Sequence, residues 1–444
     1  MRIIVVGGGI AGMGAADRLR EAGHDIVLLE QDAEAGGRCR SVQWHGVWAV
    51  TGAFAFLGAE TNLTDLARKL GIDQPDGMVD LTAAHQWNVL VERKRTVAFG
   101  AFDLISAAKH PAIPLLEKAK LLATLPKLAQ VAVAGDPRDI TTAAALDDIN
   151  ACEYFRKFSP TFVDYFLEPC VAMFCGYGED DYSLGWTAWS TAGRLSWSGD
   201  QIWSFKERGA GRITFELGRS LAADPRVEVR LGCRAVEVRH HQDGVEVDIV
   251  AEGRAETLRG DAVVMAAPGN KVAALMPALD AERRAFFDAI DYAGHHIVYY
   301  LLDRPKDDLL DTYVLPAADG FHRTGNLRFT DIGDGTTFAH SQWKDWGCRQ
   351  HAGASTADLL TIAWSDVVDA LPQLADTRVI DSFISRQPDA ICKRPKGYIR
   401  NLRRFRDLGP LPRVAFCGDY LANSTVGQAH WSGLTAAQEL MARS

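Results

Sequence analysis

The sequence predicts an α/β protein, in which a discontinuous Rossmann-like nucleotide-binding domain is combined with an α+β domain that carries a helical insert. Residues 1–30 read as strand, glycine turn, helix and strand. A strand, a polar loop and a helix return at residues 414–444, and further strands stand between the two ends. Because both ends of the chain have nucleotide-fold character, the second domain is expected to be inserted into the first.

Hydrophobic periodicity places the individual elements. The opening unit is predicted as strand Arg2–Val6, helix Ile10–Ala22 and strand Asp25–Leu29, and the dipeptide Asp243–Gly244 as a hairpin turn. Further strands are predicted at Val227–Val229, Ala235–Arg239, Val245–Val250, Ala262–Ala266, His295–Leu302 and Val414–Cys417. The expected boundaries are 1–85, 205–285 and 385–444 for the nucleotide-binding domain, and 86–204 and 286–384 for the second domain, with its helical insert at about 102–171.

The composition excludes several classes of protein. With 444 residues, 47% hydrophobic and 24% charged, the chain is globular and long enough for two or three domains. A net charge of −9 with both signs mixed gives no reason to expect nucleic acid as a partner. The chain opens directly on a strand and lacks a bilayer-length apolar stretch, so a soluble cytoplasmic protein is expected. No metal site is expected, because the cysteines are scattered: Cys39, Cys152, Cys170, Cys175, Cys233, Cys348, Cys392 and Cys417.

Gly7, Gly9 and Gly12 form the pattern G-x-G-x-x-G between the first strand and the first helix. Gly7 permits a tight turn, Gly9 lets the backbone approach a pyrophosphate, and Gly12 allows close packing of helix and strand. Glu30 ends the second strand, where a carboxylate accepts hydrogen bonds from ribose hydroxyls and disfavours a 2′-phosphate. The unit therefore predicts NAD or FAD and argues against NADP.

The following segment distinguishes these two cofactors. Gly36-Gly37-Arg38 resembles the extension found in FAD-dependent flavin amine oxidases, protoporphyrinogen oxidases and phytoene desaturases, where it runs beside the flavin's pyrophosphate and ribityl chain. A guanidinium such as that of Arg38 can bind phosphate oxygens bidentately. Gly418-Asp419 resembles the C-terminal half of the same site, in which the aspartate bonds the ribityl or pyrophosphate region. In these families the N-terminus of the next helix points at the flavin N1–C2=O edge.

The resemblance implies FAD, and it can be carried over residue by residue. Val236 matches the strand whose backbone meets the adenine, and Pro268 the crossover that follows. The spacing of Cys392 does not match that of relatives with covalently attached flavin, so noncovalent FAD is expected. The implied cofactor-binding residues are Gly7, Gly9, Ala11, Gly12, Glu30, Gln31, Gly37, Arg38, Gly52, Ala53, Val236, Pro268, Gly418, Asp419, Thr425, Val426 and Ala429.

Three positions depart from the amine oxidase pattern. His295 stands where that family usually has a lysine near flavin N5, Thr425 where it often has an aromatic cage residue, and Val50 where an acidic residue is usual. The segments Met173–Leu184 and Arg208–Arg212 instead resemble the protoporphyrinogen oxidase and carotenoid desaturase branch. These departures favour a cyclic substrate over a plain alkylamine.

His295 is the predicted catalytic residue, because a histidine can accept a proton near neutral pH. The alternative is a buried strand histidine that hydrogen-bonds a carbonyl; within a strand, His296 would point the opposite way. His430 lies in the first turn of the last helix, where flavin contact and helix packing are equally good interpretations. The residues predicted to line the substrate site are Phe54, Trp189, Tyr299, Trp343 and Thr425.

Two further features leave alternatives open. Tryptophans can wall an apolar pocket but are more often core residues; here they are Trp186, Trp189, Trp197, Trp203, Trp343 and Trp346. A substrate lid, a contact with an anionic membrane surface and a solvated helical face all account for the lysines of residues 107–133. These lysines are Lys109, Lys118, Lys120 and Lys127.

The predicted function is that of an FAD-dependent oxidoreductase that dehydrogenates a C–C or C–N bond by hydride transfer to flavin. Its partners would be a small to medium, largely apolar cyclic substrate and O2 or another electron acceptor. One alternative is a flavin amine oxidase acting on a primary or secondary amine. Others are a redox-neutral FAD isomerase or mutase, and a non-catalytic binding protein of the same fold. The sequence leaves the oligomeric state and peripheral membrane contact open.

Overall fold

The structure is a computed structural model that describes residues 1–74, 77–81, 87–100, 103–136, 138–178, 182–196 and 202–443. The chain divides into two compact units. The first unit comprises Met1–Leu81, Asp200–Asp291 and Asn401–Ser444, and the second comprises Thr82–Gly199 and Tyr292–Arg400. Of the residues singled out above, Trp197 and residues 179–181 of the segment Met173–Leu184 lie outside the described residues.

A five-stranded parallel sheet forms the centre of the first unit. Arg2–Val6 lies in the middle and pairs with Asp25–Leu29 on one side and Ala262–Met265 on the other. Val227–Arg230 and Val414–Phe416 form the edges. The inner strands are almost continuously apolar and buried, as expected for a parallel sheet covered on both faces. The order confirms the predicted Rossmann-like α/β fold, and the first two strands have the predicted bounds.

Helices and smaller sheets complete the first unit. Its helices are Ile10–Glu21, Thr61–Lys69, Gly211–Ala222, Gly269–Leu275, Ala281–Asp288 and Val426–Met441, with a 3-10 turn at Asp419–Leu421. An antiparallel sheet consists of Cys233–His240, Val245–Ala251 and Arg254–Gly260, with the predicted turn between the first two strands. The remaining strands are the hairpin Ser41–Trp44 and Val47–Val50, and the sheet Phe56–Leu57, Ile202–Phe205 and Met78–Asp80.

A seven-stranded sheet forms the centre of the second unit. Its order is Val379–Ser385, Ile297–Leu302, Thr337–Trp343, Thr324–Asp331, Thr312–Val314, Trp87–Val91 and Arg95–Phe99. Every pair is antiparallel except Thr312–Val314 with Trp87–Val91. Apolar residues of Thr356–Ala370 pack with those from one face of this sheet in a single core.

The other elements of the second unit are mostly helical. Before the central strands they are Leu104–Lys109, Leu115–Leu121, Leu122–Thr124, Leu125–Ala134, Ile140–Leu146, Ala151–Arg156, Pro160–Phe162, Val163–Leu167, Glu168–Cys175 and Leu184–Ser196. After them come Ala317–Asp319, Asp345–Gln350, Thr356–Ala370 and Pro372–Leu374. The helix Tyr398–Asp407 begins at the end of this unit. Within the described residues, no helix is both long and apolar enough to cross a membrane.

The compact units differ from the predicted domains by four or five residues at 82–85 and 200–204, and by more at two other places. Residues 385–400 belong to the second unit, and strand Ile391–Cys392 in this segment pairs with Tyr292–Ala293. Residues 286–291 belong to the first unit, because helix Ala281–Asp288 extends past the predicted boundary. There the ring of Phe287 packs 5.1 Å from that of Phe416. Both differences come from long-range pairing, which local periodicity does not contain.

Candidate functional site

The glycine turn of the first unit is closed on one side and open on the other. Gly7 has a φ of +115°, and a Cβ there would lie 2.7 Å from the carbonyl oxygen of Ala266. A Cβ on Gly12 would lie 2.0 Å from the carbonyl oxygen of Gly7, so turn and helix touch backbone to backbone. A Cβ on Gly9 would have no neighbour within 4 Å. The open side lies at the start of Ile10–Glu21, where helix N–H groups favour a phosphate.

Glu30 is buried directly beside this turn. Its carboxylate accepts hydrogen bonds from the backbone N–H of Gly8 and of Asp32, each at 2.9 Å. Burial raises the pKa of Glu30, and these two hydrogen bonds oppose the rise. A carboxylate has further lone pairs, so Glu30 can also accept hydrogen bonds from ribose hydroxyls. Gln31, the next residue, is exposed.

Arg38 and Asp419 meet although 381 residues separate them in sequence. Two guanidinium nitrogens of Arg38 donate to the two carboxylate oxygens of Asp419, each at 2.8 Å. Gly418, with a φ of +152°, precedes the aspartate. The carbonyl of Arg38 accepts from the N–H of Ala53 at 2.8 Å, and a Cβ on Gly52 would lie 2.0 Å from it. The side chains of Asp419 and Arg38 are 5% and 33% exposed, so the guanidinium is the more accessible partner.

The C-terminal helix begins in the same unit. Thr425 caps Val426–Met441: its hydroxyl accepts from the N–H of Gln428 at 3.3 Å. Val426 and Ala429, in the first turn, are buried. This arrangement leaves a partial positive charge at the start of the helix.

Close packing holds this helix against the first one. A Cβ on Gly433 would lie 2.0 Å from the carbonyl oxygen of Ala11. A Cβ on Gly14 would lie 2.5 Å from Cδ2 of His430, whose Nδ1 is 2.9 Å from Nδ2 of Asn62. Burial lowers the pKa of His430 to about 4. Of the two interpretations of His430, these contacts support helix packing.

Val236 lies in a β-bulge. The register of its strand shifts between Ala235 and Glu237, so Val236 has no residue opposite it. A bulge leaves backbone groups outside the ladder, where a base can reach them. Pro268 stands at the start of Gly269–Leu275. Val236 thus lies outside the paired register, and the residue is 42% exposed.

These residues fit a dinucleotide. The open side of Gly9 suits a pyrophosphate, and Gly37 lies beside it: a Cβ on Gly37 would be 3.3 Å from Cα of Gly9. Glu30 suits a ribose, and the accessible guanidinium of Arg38 suits phosphate. The positive end of the helix dipole at Val426 would stabilise a bound group that gains electrons.

One face of the seven-stranded sheet in the second unit carries polar side chains at alternate positions. Asn326 stands opposite Gln342, and Arg328 stands opposite His340 on the neighbouring strand. Tyr299 stands opposite His340 on the next strand. We call these five residues the polar sheet face. Nδ2 of Asn326 donates to Oε1 of Gln342 at 2.7 Å, and the rings of Tyr299 and His340 lie 5.3 Å apart.

Burial determines the charges on the polar sheet face. It lowers the pKa of His340 to about 3, and the positive charge of Arg328 adds to this effect. Burial also lowers the pKa of Arg328. Asn326 and Gln342 carry no charge. At neutral pH, Arg328 is therefore the charged group among these five residues.

His295 lies beside this face but outside the strand in which it was predicted. The strand begins at Ile297, two residues later than predicted. Backbone hydrogen bonds continue before it in the same register: the N–H of His295 donates to the carbonyl of Gln387, and the carbonyl of His296 accepts from the N–H of Trp343, each at 2.8 Å. The N–H of Gln387 donates to Nδ1 of His296 at 3.3 Å instead of to a backbone carbonyl, so the regular ladder ends there, which corrects the predicted strand start.

The imidazole of His295 is neutral at pH 7. Burial lowers its pKa to about 4, against smaller opposite effects of the Gln342 side chain and the Trp343 backbone. Its Nδ1 is buried without a hydrogen-bond partner among the described residues, and a Cβ on Gly176 would lie 2.9 Å from it. A histidine with so low a pKa can orient a ligand but is a weak base.

Two residues predicted to line a substrate site lie in cores instead. Trp343 is fully buried with Val298 on the sheet face that packs with Thr356–Ala370. Because alternate residues of a strand point to opposite faces, Trp343 and Tyr299 do not share a surface, which corrects the prediction. Trp189 is buried, and its Nε1 donates to the carbonyl of Asp136 at 3.0 Å within the helical insert.

Four members of the polar sheet face were not predicted from the sequence: Asn326, Arg328, His340 and Gln342. A signal was present, because polar residues recur with period two in otherwise apolar strands at 324–331 and 337–343. Their pairing across strands was not visible, since it depends on register. Phe54 and Thr425, also predicted for the substrate, lie in the first unit, where the Phe54 carbonyl accepts from the Ala210 N–H at 3.1 Å.

Known proteins were compared with the whole chain. The family model for flavin containing amine oxidoreductase matches residues 10–441. Mitochondrial protoporphyrinogen oxidase of Nicotiana tabacum is 26% identical over 186 residues, which are 41% of this chain and 34% of that protein. The curated relatives are thus matched over about a third of their length or less.

Solved structures resemble the chain over its full length. Cyclohexylamine oxidase from Brevibacterium oxydans has a TM-score of 0.73 at 18% identity, covering 99% of this chain and 98% of that one. Wild-type putrescine oxidase bound to putrescine has a TM-score of 0.74 at 15% identity, covering 100% of both chains. At these identities the likeness shows the fold, and the family match carries the assignment. The chain therefore belongs to the flavin-containing amine oxidoreductases, and its cofactor is FAD.

Proposed function

We propose that this enzyme oxidises a small to medium, largely apolar cyclic compound that binds without a positive charge. The enzyme would remove a hydride from carbon, and O2 or another acceptor would take up the electrons. The observation that supports this proposal is the polar sheet face, whose charged member is the cation Arg328. An ammonium substrate would need carboxylates or an aromatic cage, and a buried guanidinium would repel it.

Aromatic and amide groups would hold the substrate. The ring of Tyr299 stacks on Phe383 at 4.9 Å and an interplanar angle of 18°, which gives a flat apolar surface. The amides of Asn326 and Gln342 have donor and acceptor capacity beyond the hydrogen bond that joins them. We assign neutral His295 to orienting the substrate, because its low pKa makes proton abstraction inefficient. Bound FAD supplies the acceptor for the hydride.

The test is anaerobic bleaching of the bound flavin by a panel of compounds. Cyclic compounds without a positive charge, such as cyclic ketones and porphyrinogens, are compared with cyclohexylamine and putrescine, which carry ammonium groups at pH 7. We expect reduction by a member of the first group and none by putrescine. Fast reduction by putrescine in the wild type would show that the enzyme is an amine oxidase instead.

A charge variant makes this test specific to the polar sheet face. Arg328→Gln removes the buried cation and should raise the rate with ammonium compounds, relative to neutral ones, at least tenfold, about 1.4 kcal/mol. The matched control is Arg259→Gln, which removes an exposed arginine of the first unit and should leave the ratio unchanged.

We further propose that the helical insert docks on an anionic membrane surface. Six large apolar side chains of this insert are 42% to 88% exposed: Ile105, Leu115, Leu116, Leu122, Leu125 and Val133. Exposed apolar groups at this density mark an interaction surface. Lys109 and Lys120 are exposed on the same helices, and anionic headgroups contribute about 1 kcal/mol for each nearby lysine. Apolar and basic groups together suit the interface of an anionic bilayer.

Vesicle sedimentation tests this docking. The protein should bind vesicles containing phosphatidylserine, bind neutral phosphatidylcholine vesicles less, and dissociate as salt increases. The variant Leu115→Ser/Leu116→Ser should weaken binding at least tenfold, whereas Leu231→Ser, at an exposed leucine of the first unit, should not. Absence of binding to both kinds of vesicle would contradict the proposal. Concentration-dependent dimerisation that the leucine variant abolishes would assign the surface to a second copy.

A further inference from the structure

Glu60 is a buried carboxyl group at the start of the C-terminal helix. It is 6% exposed and immediately precedes helix Thr61–Lys69. Its Oε2 accepts from the N–H of Leu57 at 3.0 Å, and its Oε1 accepts from the hydroxyl of Thr425, which caps the C-terminal helix. A Cβ on Gly427 would lie 2.5 Å from the carboxyl carbon of Glu60. The carboxyl group therefore lies against the first turn of Val426–Met441.

No cationic side chain among the described residues hydrogen-bonds Glu60. Arg38, in the same unit, is bound through two nitrogens to Asp419. Burial raises the pKa of Cys39 to about 12 and lowers that of His430 to about 4, so both are neutral at pH 7. Charge on Glu60 is therefore stabilised by hydrogen-bond donors and the helix terminus, not by an ion pair.

Burial and hydrogen bonding act in opposite directions on the pKa of the Glu60 carboxyl. Burial raises its pKa, while hydrogen bonds from Thr425 and from the backbone of Leu57, Gly427 and Gln428 lower it. The net direction is upward. A second negative charge near the same helix terminus would raise the pKa further, since like charges disfavour ionisation.

We propose that Glu60 takes up a proton from solvent when the bound flavin is reduced. In this family the helix N-terminus faces the N1–C2=O edge of the flavin. A flavin that has gained two electrons and one proton carries one negative charge. The helix terminus offers a partial charge of only about +0.5. Glu60 in its carboxylate form would compete for that charge, so protonation of Glu60 keeps the local charge constant. The inference depends on FAD and on no particular substrate.

The pH dependence of the flavin midpoint potential tests this coupling. For a two-electron couple, each proton taken up lowers the potential by about 30 mV for every tenfold fall in proton concentration. We expect the FAD-loaded wild type to show a slope about 30 mV per pH unit steeper than Glu60→Gln within pH 5–9. Glu60→Asp, which keeps a titratable carboxyl, should retain the steeper slope. A purely structural Glu60 would give equal slopes in the wild type and Glu60→Gln, which would overturn the proposal.

A second measurement, on the wild type, applies if the Glu60→Gln protein does not fold or does not bind FAD. The wild-type holoenzyme is reduced anaerobically in weak buffer with a pH indicator by adding reduced methyl viologen, a one-electron donor that releases no protons, and protons taken up per flavin are counted. Two protons are expected together with the absorption spectrum of anionic reduced flavin, because the spectrum excludes a second proton on N1. Uptake of one proton with that spectrum would overturn the proposal. Reduction by the viologen needs no substrate, so a wrong substrate class would leave this result unaffected.

Discussion

The two units build their candidate sites from different groups. In the first unit, glycine backbone and the ion pair of Arg38 with Asp419 form the proposed place for a charged dinucleotide. In the second unit, the proposed site combines amides, a neutral imidazole, Arg328 and the ring of Tyr299 on one sheet face. The second unit also buries ion pairs, such as Lys344 with Glu168 at 2.7 Å, which are not among these five residues.

The difference reflects the chemistry of what is bound. A pyrophosphate is recognised by N–H groups and fixed positive charge, which short glycine segments can supply. A neutral ring is recognised by shape and a few hydrogen bonds, which several paired strands supply together. Each proposed cofactor motif is therefore a short local segment, although the motifs lie far apart in the sequence, whereas the proposed substrate site depends on the register of several paired strands.

Acidification should separate the two units most strongly. Burial lowers the pKa values of His110, His295 and His296 to about 4 and that of His340 to about 3, all in the second unit. An unfolded histidine has a pKa near 6.5, so between pH 6.5 and 4 the unfolded state binds more protons. The stability of the second unit should therefore fall as the pH drops through this window, by about 4 kcal/mol if each histidine contributes about 1 kcal/mol.

Amide hydrogen exchange at pH 7, 6 and 5 measures this loss. Protection in the seven-stranded sheet should decrease more than in the parallel sheet, because His430 is the histidine of the first unit whose pKa falls to about 4. Between pH 7 and 8 neither sheet should change. Equal loss of protection in both sheets on acidification would contradict the comparison.

The accuracy of the sequence-based prediction also differs between the two units. Strands Arg2–Val6 and Asp25–Leu29 were predicted with their observed bounds, because their apolar runs are bounded by glycine and polar residues next to them in sequence. The start of Ile297–Leu302 was predicted two residues too early, because the N–H of Gln387 donates to Nδ1 of His296 instead of to a backbone carbonyl. Nothing in the local sequence shows that partner.

Two glycines of the turn in the first unit should respond differently to substitution by alanine. Gly12→Ala places a Cβ 2.0 Å from the Gly7 carbonyl oxygen and should cost about 3 kcal/mol of stability, because backbone cannot yield cheaply. Gly9→Ala meets nothing within 4 Å and should leave stability within about 0.5 kcal/mol. It should nevertheless weaken FAD binding at least tenfold, about 1.4 kcal/mol, if the pyrophosphate occupies the open side.

Urea unfolding of the FAD-free proteins and titration with FAD separate these effects. Gly353→Ala, in an exposed loop of the second unit with no neighbour within 4 Å, is the control for both measurements. Wild-type FAD affinity in Gly9→Ala would show that the pyrophosphate lies elsewhere.

Glu60 shows why part of the site escapes a motif search even in the first unit. Its position follows from the contact of two elements more than 350 residues apart, since Thr425 reaches it across 365 positions. In sequence, Glu60 is one acidic residue before a short amphipathic helix. The packing of Gly427 against its side chain and the hydrogen bond from Thr425 show that it faces the C-terminal helix.

The last comparison concerns the two faces of the seven-stranded sheet. Tyr299→Phe keeps the ring stacked on Phe383 but removes a buried hydroxyl, so it should cost about 1 kcal/mol of stability and alter the rate of flavin reduction by substrate. Trp343→Phe leaves a cavity in the opposite core and should cost about 2 kcal/mol without changing the substrate dependence of that rate. Urea unfolding and anaerobic stopped-flow reduction measure the two quantities. If Trp343→Phe changed substrate affinity and Tyr299→Phe did not, the substrate would bind on the other face, and Arg328 would lose its assigned role.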